Sequence, residues 1–499
     1  MANLSSDIEQ TNPLYDLKVS EWTLVADGYE GEKKVKQRGS VYLPTTSGQR
    51  ALGLGKSGVN NNEGQELYDA YILRANYPAL VRDVANALVG VMNKEPPVIE
   101  LPDALEDMLL MATARGEPLT ALLRRVQLYQ LLYGRTGILA DVDASRDLPY
   151  LVDYPALRII NWDDEPKDTE DAQRTVSLVV LDETRNVRDG FTWEERDKFR
   201  ALEIGEGGKY EVTIDDNGAR AAVVMPAIQG TTLEKIPFVF INSSDLVPEP
   251  GDIPLLGLAR LALTIYRGDA DYRQALFMQG QDTLVVIGED TEGGKLIVGA
   301  GAHINIPNPD GDAKFIGVDG QGLPEMREAQ ATDYERALNY GLQLMSGAGA
   351  EAAETLKIRV AARTADLVNI AMTSAAGLTD ILKTCAEWVG ADPEEVKVEP
   401  NTDFIDETMG AAELLGFMNA KSRGAPLSFK SIHALMRKGD VTQLSFDEEE
   451  EAIADEPPPD DRTGLGEPPQ LDEDGNPIAP AGNAPPGNGP PGNQPPPGQ

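Results

Sequence analysis

Cysteine and histidine are almost absent from this chain of 499 residues, which carries one cysteine, Cys385, and two histidines, His303 and His433. One thiol closes no intrachain disulfide, and a Cys/His zinc site has no ligand set to draw on. A reducing, intracellular setting is therefore the expectation. No stretch approaches the roughly 18 apolar residues of a membrane helix, and the N-terminus has no basic start leading into an apolar core. Neither membrane insertion nor secretion is expected. Basic residues are scarce as well: 44 Lys and Arg stand against 82 Asp and Glu, for a formal net charge of -38. That balance opposes wrapping a phosphate backbone, so any contact with DNA should be transient or repulsive rather than adhesive.

What is present is ordinary globular material, 41% hydrophobic and 25% charged, in a chain long enough for two or three domains. Residues 1–64 are polar and glycine-rich, with a basic patch at Lys33, Lys34, Lys36 and Arg38, and read as an arm rather than a core element. Over 65–93 the apolar positions Leu80, Val84, Leu88, Val91 and Met92 recur at helical spacing until Pro96 and Pro97 stop them, which predicts one amphipathic helix. Helical patterns follow at 105–112 and 119–133, with Gly134 as a natural stop. Short strands are expected at 138–142 and 157–162.

From 163 to 252 the period changes to two, clearest in Tyr210, Val212 and Ile214 before the turn Asp215-Asp216-Asn217-Gly218. With 175–181 and 236–241 this reads as a β subdomain carrying a charged insertion at 185–200. A long helix is expected over 253–279, then short strands at 284–287, 295–298, 303–306 and 314–318. Helices over 324–345 and 355–389 flank the small-residue linker Ser346, Gly347, Ala348, Gly349, Ala350, Glu351, Ala352, Ala353 and Glu354. A strand at 396–399 and helices near 408–418 and 428–436 come last. After Phe446 an acidic run gives way to Pro, Gly and Asn, where no core can form and a disordered tail is expected. The class is α+β and multidomain.

Catalytic motifs fail on spacing. Gly55-Lys56-Ser57 resembles the end of a phosphate-binding loop, but Arg50 stands where the first glycine is needed. Asp141, Asp143, Ser145 and Asp147 alternate like calcium ligands, yet Arg146 and Val152 occupy the positions that need glycine and glutamate. Asp163, Asp164 and Glu165, and Asp215 with Asp216, could hold paired metal ions, although aspartate is common in turns for its local hydrogen bonds. His303 and His433 have no nucleophile motif beside them. No enzyme activity, cofactor or metal is expected.

The run from Tyr68 and Tyr71 through Tyr77-Pro78, Leu88, Met92 and Pro96-Pro97 to Glu100 resembles the opening of the portal proteins of tailed bacteriophages. So does the element order that follows: helices ending in Tyr133-Gly134, a strand with Ile159, Ile160, Asn161 and Trp162, a β subdomain, and a helix starting near Ile253-Pro254-Leu255. Asp252 and Ile253 stand where related portals carry Gly and Ser. The resemblance spans about residues 40–440 and rests on element order more than on an invariant signature.

It implies a dodecameric ring at a capsid vertex, in the virion and, during assembly, the host cytoplasm, through which double-stranded DNA is packaged and ejected. Terminase large subunit, head-tail connector or adaptor protein and major capsid protein are the implied partners. The parts implied are an arm at 1–64, wing at 65–162 and 283–404, clip at 163–252, stem at 253–282, crown at 405–446 and a tail at 447–499. The linker Ser346 to Glu354 would be the tunnel loop facing DNA. An acidic capsid-associated adaptor without a DNA channel is the alternative.

Overall fold

The structure is a computed structural model. It describes residues 8–54, 63–143, 146, 148–164, 175–205, 207–228, 230–280, 283–287, 309–316, 322–345, 353–402 and 404. Further on it describes 419, 421, 423, 428–438, 441–442 and 444–455. Residues Met1–Phe404 form one compact unit and Ile405–Gln499 a second. No helix of the described residues is long and apolar enough to cross a membrane.

The first unit opens with α1 (Pro13–Glu30), α2 (Glu32–Gln37), α3 (Ser47–Ala51), α4 (Glu63–Arg74) and α5 (Leu80–Met92). The first of these corrects the reading of 1–64 as an arm. Asn12 caps α1 through its side chain, with Pro13 in the first turn, where a missing N–H costs nothing. Trp22 and Val25 of α1 are fully buried among α5, α6 (Leu119–Tyr133) and α7 (Leu256–Gln279), and Trp22 Nε1–H donates to the Tyr133 carbonyl at 2.9 Å. Asp27 of the same helix is buried as well, accepting from Arg38 at 2.6 Å and from the Tyr42 hydroxyl at 2.6 Å. The expected single helix over 65–93 is two helices. Pro78 disfavours helical backbone at Tyr77, and the Asn76 N–H bonds instead to the Asp269 carboxylate at 2.7 Å.

Strands β1 (Val98–Glu100) and β16 (Lys397–Glu399) pair antiparallel and join parts of this unit that are far apart in sequence. Between them, 103–109 is a 3-10 helix rather than the α-helix its apolar spacing suggested. Strands β2 (Arg135–Asp141), β3 (Tyr150–Pro155) and β13 (Phe238–Asn242) form one antiparallel sheet in the order β13-β2-β3. A larger sheet runs β10-β9-β8-β5-β4, from β4 (Ile159–Asp163), β5 (Leu178–Asp182), β8 (Lys198–Ile204), β9 (Tyr210–Asp216) and β10 (Ala219–Arg220). The exposed hairpin β6 (Arg185–Asp189) and β7 (Thr192–Arg196) is the expected charged insertion, and β11 (Ala227–Ile228) pairs with β12 (Thr231–Thr232). The β9–β10 turn falls on Asn217 and Gly218, at φ 56° and 78°, the left-handed pair that a two-residue hairpin favours.

The two sheets divide differently from the sequence reading. The strand expected at 236–241 leaves the β subdomain and pairs with β2, whereas β4, read as part of the preceding region, is an edge of the larger sheet. The smaller sheet is covered on both faces. Ile138, Ala140, Leu151 and Ile241 pack on α6 and α9 (Ala353–Val389), while Leu139, Phe238 and Phe240 meet Trp162, Val179, Leu181 and Leu202 of the larger sheet. A strand buried on both sides shows no alternation, which is why its partners could not be read from period.

The unit is completed by β14 (Thr283–Ile287), β15 (Asp312–Ile316) and α8 (Leu323–Met345). The strands expected at 295–298 and 303–306, and the helix near 408–418, lie outside the described residues. In the second unit α10 (Phe429–Lys438) is followed by α11 (Phe446–Asp455), so 447–455 is helical where a disordered tail was expected. Ser445 and Glu448 cap each other's backbone N–H groups, and the acids of the first turn suit the positive end of the helix dipole. Residues 456–499 lie outside the described residues.

Candidate functional site

The features that bear on function gather around α7. It is clamped by the N-terminal segment. Arg260 pairs with Glu21 at 2.7 Å, Arg267 Nε donates to the Tyr42 carbonyl at 2.7 Å, and Tyr71 donates to Asp271. Toward its end Arg74 donates to Gln274 at 2.7 Å and lies 3.6 Å from the Phe277 ring centroid. Helix α8 runs antiparallel to α7: Tyr340 donates to the Pro254 carbonyl at 3.1 Å, while Tyr272 lines one cleft with Leu323, Pro324 and Arg327. The chain between these helices includes the β14–β15 hairpin, whose register pairs Thr283 with Ile316. Ile287, Phe315 and Ile316 of that hairpin are exposed. The result is a helical arm with a hairpin at its turn, a pairing of successive helices that the apolar spacing within either one does not record.

The expected tunnel-loop residues Ser346, Gly347, Ala348, Gly349, Ala350, Glu351 and Ala352 lie outside the described residues. Ala353 and Glu354 open α9, so the linker between α8 and α9 is shorter than the sequence reading had it.

The start of α7 is fixed from behind. Gly134 ends α6 at φ 70°, and a Cβ there would sit 2.1 Å from the Asp252 carbonyl oxygen. The next residue, Arg135, is fully buried. Its guanidinium lies 3.9 Å from the Trp162 ring centroid and 4.5 Å from that of Phe240, with no hydrogen-bond acceptor among the described residues. Burial pulls its pKa down to about 9, against the opposing pull of Glu249. Stacking on two aromatic faces offsets part of that cost. Beside this junction a cleft of ≈ 440 Å³ is lined by Leu88, Leu131, Asp252, Tyr340, Asp366 and Ile370.

The remaining sequence candidates do not converge. Gly55-Lys56-Ser57, Ser145, Asp147, Glu165 and His303 lie outside the described residues. Asp141 pairs with Arg200 at 2.8 Å, and Asp215 accepts the Gly218 N–H at 2.8 Å, as a turn aspartate does. His433 is buried edge-on to Phe446, with ring centroids 5.4 Å apart. Cys385 is buried, which pushes its thiol up to about 12. Among the described residues no group of acids, His and Cys could hold a metal ion.

One ionic cluster has a measurable consequence. Glu183 pairs with Lys198 at 2.5 Å and Arg200 at 2.8 Å and accepts from the Tyr154 hydroxyl at 2.8 Å. Burial opposes the ionised form, but Arg200, Lys198 and Tyr154 outweigh it and hold the carboxyl below the usual range. A depressed folded pKa gives stability that is present above the unfolded value of about 4.3 and lost as pH falls through the folded value. Glu183→Gln should therefore cost about 2 kcal/mol at pH 7, and the cost should shrink as pH falls below about 4, in urea unfolding. A gap that stays the same as pH falls would contradict this account.

A family described as a domain of unknown function, DUF4055, matches residues 254–389, from the start of α7 to the end of α9. No curated protein matches the chain. Among solved structures, a chain from the neck of an empty GTA particle, computed with C6 symmetry, is 14% identical with a TM-score of 0.38, covering 78% of this chain and 98% of that one. A chain from the virion of a native gene transfer agent particle is also 14% identical with a TM-score of 0.38, covering 79% and 99%. A third, from the native particle neck computed with C12 symmetry, is 15% identical at 0.35, covering 72% and 89%. These are distant likenesses.

Proposed function

We propose that this chain is a portal-type subunit: a structural protein that closes into a ring at a capsid vertex and lets double-stranded DNA pass. The observation that carries the reading is the α7–α8 arm with its hairpin turn, which continues through the 346–352 linker into the 37-residue helix α9. That order suits a subunit whose column lines a passage. We assign the stem to α7 and α8 together and the clip to the β14–β15 hairpin between them, since that hairpin joins the two helices whereas the larger β sheet packs into the body. The wing then includes both sheets. An acidic chain with small residues in the linker suits a passage that must not hold its cargo, because Glu351 repels phosphate rather than condensing on it.

In this role the ring would dock terminase, a head-tail connector and the capsid shell, and ATP turnover would belong to the partner motor. Light scattering on the purified chain should give a mass many times the 53.8 kDa of one subunit, and negative-stain images should show closed rings with a central hole. A stable monomer at tens of micromolar, with no rings in the images, would overturn the reading.

A further inference from the structure

We infer that the β6–β7 hairpin is a docking finger that seats on a neighbouring copy of this chain, at the 3-10 helix over 103–109 and the two residues after it. The inference rests on the ring reading above. Every residue of β6 and β7 except Val187 is exposed. A lone two-stranded hairpin is marginal in water, so this one has little to hold it when uncovered. Gly190, at φ 58°, opens its two-residue turn, and Phe191 beside it is 98% exposed. Arg188 Nε closes the turn by donating to the Gly190 carbonyl at 2.7 Å. An apolar ring held out in this way has the form of an interface anchor.

The hairpin also carries a charge conflict. Arg185 lies directly opposite Arg196 in the register, and like charges so placed destabilise a strand pair. An acidic partner would remove that repulsion.

The same chain offers a surface of complementary character. Asp103, Glu106 and Asp107 are exposed on the 3-10 helix, and Leu110 and Met111, 74% and 64% exposed, follow immediately. Asp103 and Glu106 share a face at this helix's period of three. Spacing agrees as well. At about 3.4 Å per residue the Arg185–Arg196 pair stands roughly 14 Å from the turn, and at about 2 Å per residue Asp103 stands roughly 14 Å from Leu110. At these spacings the arginine pair can meet Asp103 while Phe191 meets Leu110 and Met111, with Glu106 one turn nearer the apolar pair. A head-to-tail contact of this kind closes into a ring when its rotation closes.

The test is a charge exchange in the full chain. Arg185→Glu with Arg196→Glu, or Asp103→Arg with Glu106→Arg, should each raise the concentration for half-assembly at least about tenfold, and the four together should restore it to within about threefold. In a second arm, Phe191→Cys with Leu110→Cys should give oxidation-dependent cross-links between subunits, since Cys385 is buried. Rings that form equally well in every variant, or an exchange that rescues nothing, would remove the contact and leave the ring reading standing. A parent chain that stays monomeric would remove both.

Discussion

On the portal-type reading proposed above, replacing Ala348, Ala350 and Ala352 together with lysine is expected to leave ring assembly intact and to cut the yield of packaged genomes at least about tenfold. The three positions lie in a linker with no apolar periodicity, so folding has little reason to depend on them. In a dodecamer the substitutions would set about 36 ammonium groups around one duplex. Each phosphate neutralised releases counterions and adds nearly one unit to the salt exponent of binding, so the collar would hold DNA instead of letting it slide. Purified variant rings should therefore retain duplex DNA at low salt and release it as salt rises, whereas the parent ring should not retain it. Genome content per particle is the measurement, with ring formation scored separately by light scattering. Normal genome content in particles carrying all three lysines would take this linker out of the passage.

A second large effect is expected at Gly134. Gly134→Ala should destabilise the protein by about 3 kcal/mol or more, because two costs add. A non-glycine residue at φ 70° costs about 1–2 kcal/mol. The new Cβ would also lie 2.1 Å from the Asp252 carbonyl oxygen, a backbone atom that cannot swing aside. Gly116→Ala is the control: Gly116 has φ 75°, and nothing lies within 4 Å of its Cβ position. It should cost only the conformational part, about 1 kcal/mol. Since Asp252 leads into α7, the Gly134 variant should also loosen the arm, which hydrogen exchange along α7 would register as faster opening than in the Gly116 variant. Equal costs at the two glycines would mean that the α6–α7 junction yields freely.

The boundaries of α7, α8 and α9 were legible within about three residues, because long helices repeat their apolar spacing often enough to overcome local noise. Gly134 as a helix stop and Asn217-Gly218 as a hairpin turn were legible for a different reason: each needs a left-handed backbone that few residues accept. The break between α4 and α5 was written at Pro78, but the reading extended the helical spacing of Leu80 to Met92 back across it. The importance of α1 was not legible. Its fully buried Trp22 and Val25 pack among α5, α6 and α7, and the hydrogen-bond partner of Trp22, the Tyr133 carbonyl, lies more than a hundred positions away.

Of the candidate site, the sequence by itself determined a negative and a bias. With one cysteine, two histidines and no phosphate-loop spacing, it offered no catalytic set. Its net charge of -38 weighs against wrapping a phosphate backbone. Those are properties of composition, which folding does not alter. Tertiary structure alone decided which sheet the strand at Phe238–Asn242 joins, that α7 and α8 lie side by side, and that Arg135 is stacked unpaired between Trp162 and Phe240. The reason is common to all three. Pairing of distant segments is selected by the shape and burial of the assembled surfaces, and a pattern read over one or two turns of chain carries no record of the partner.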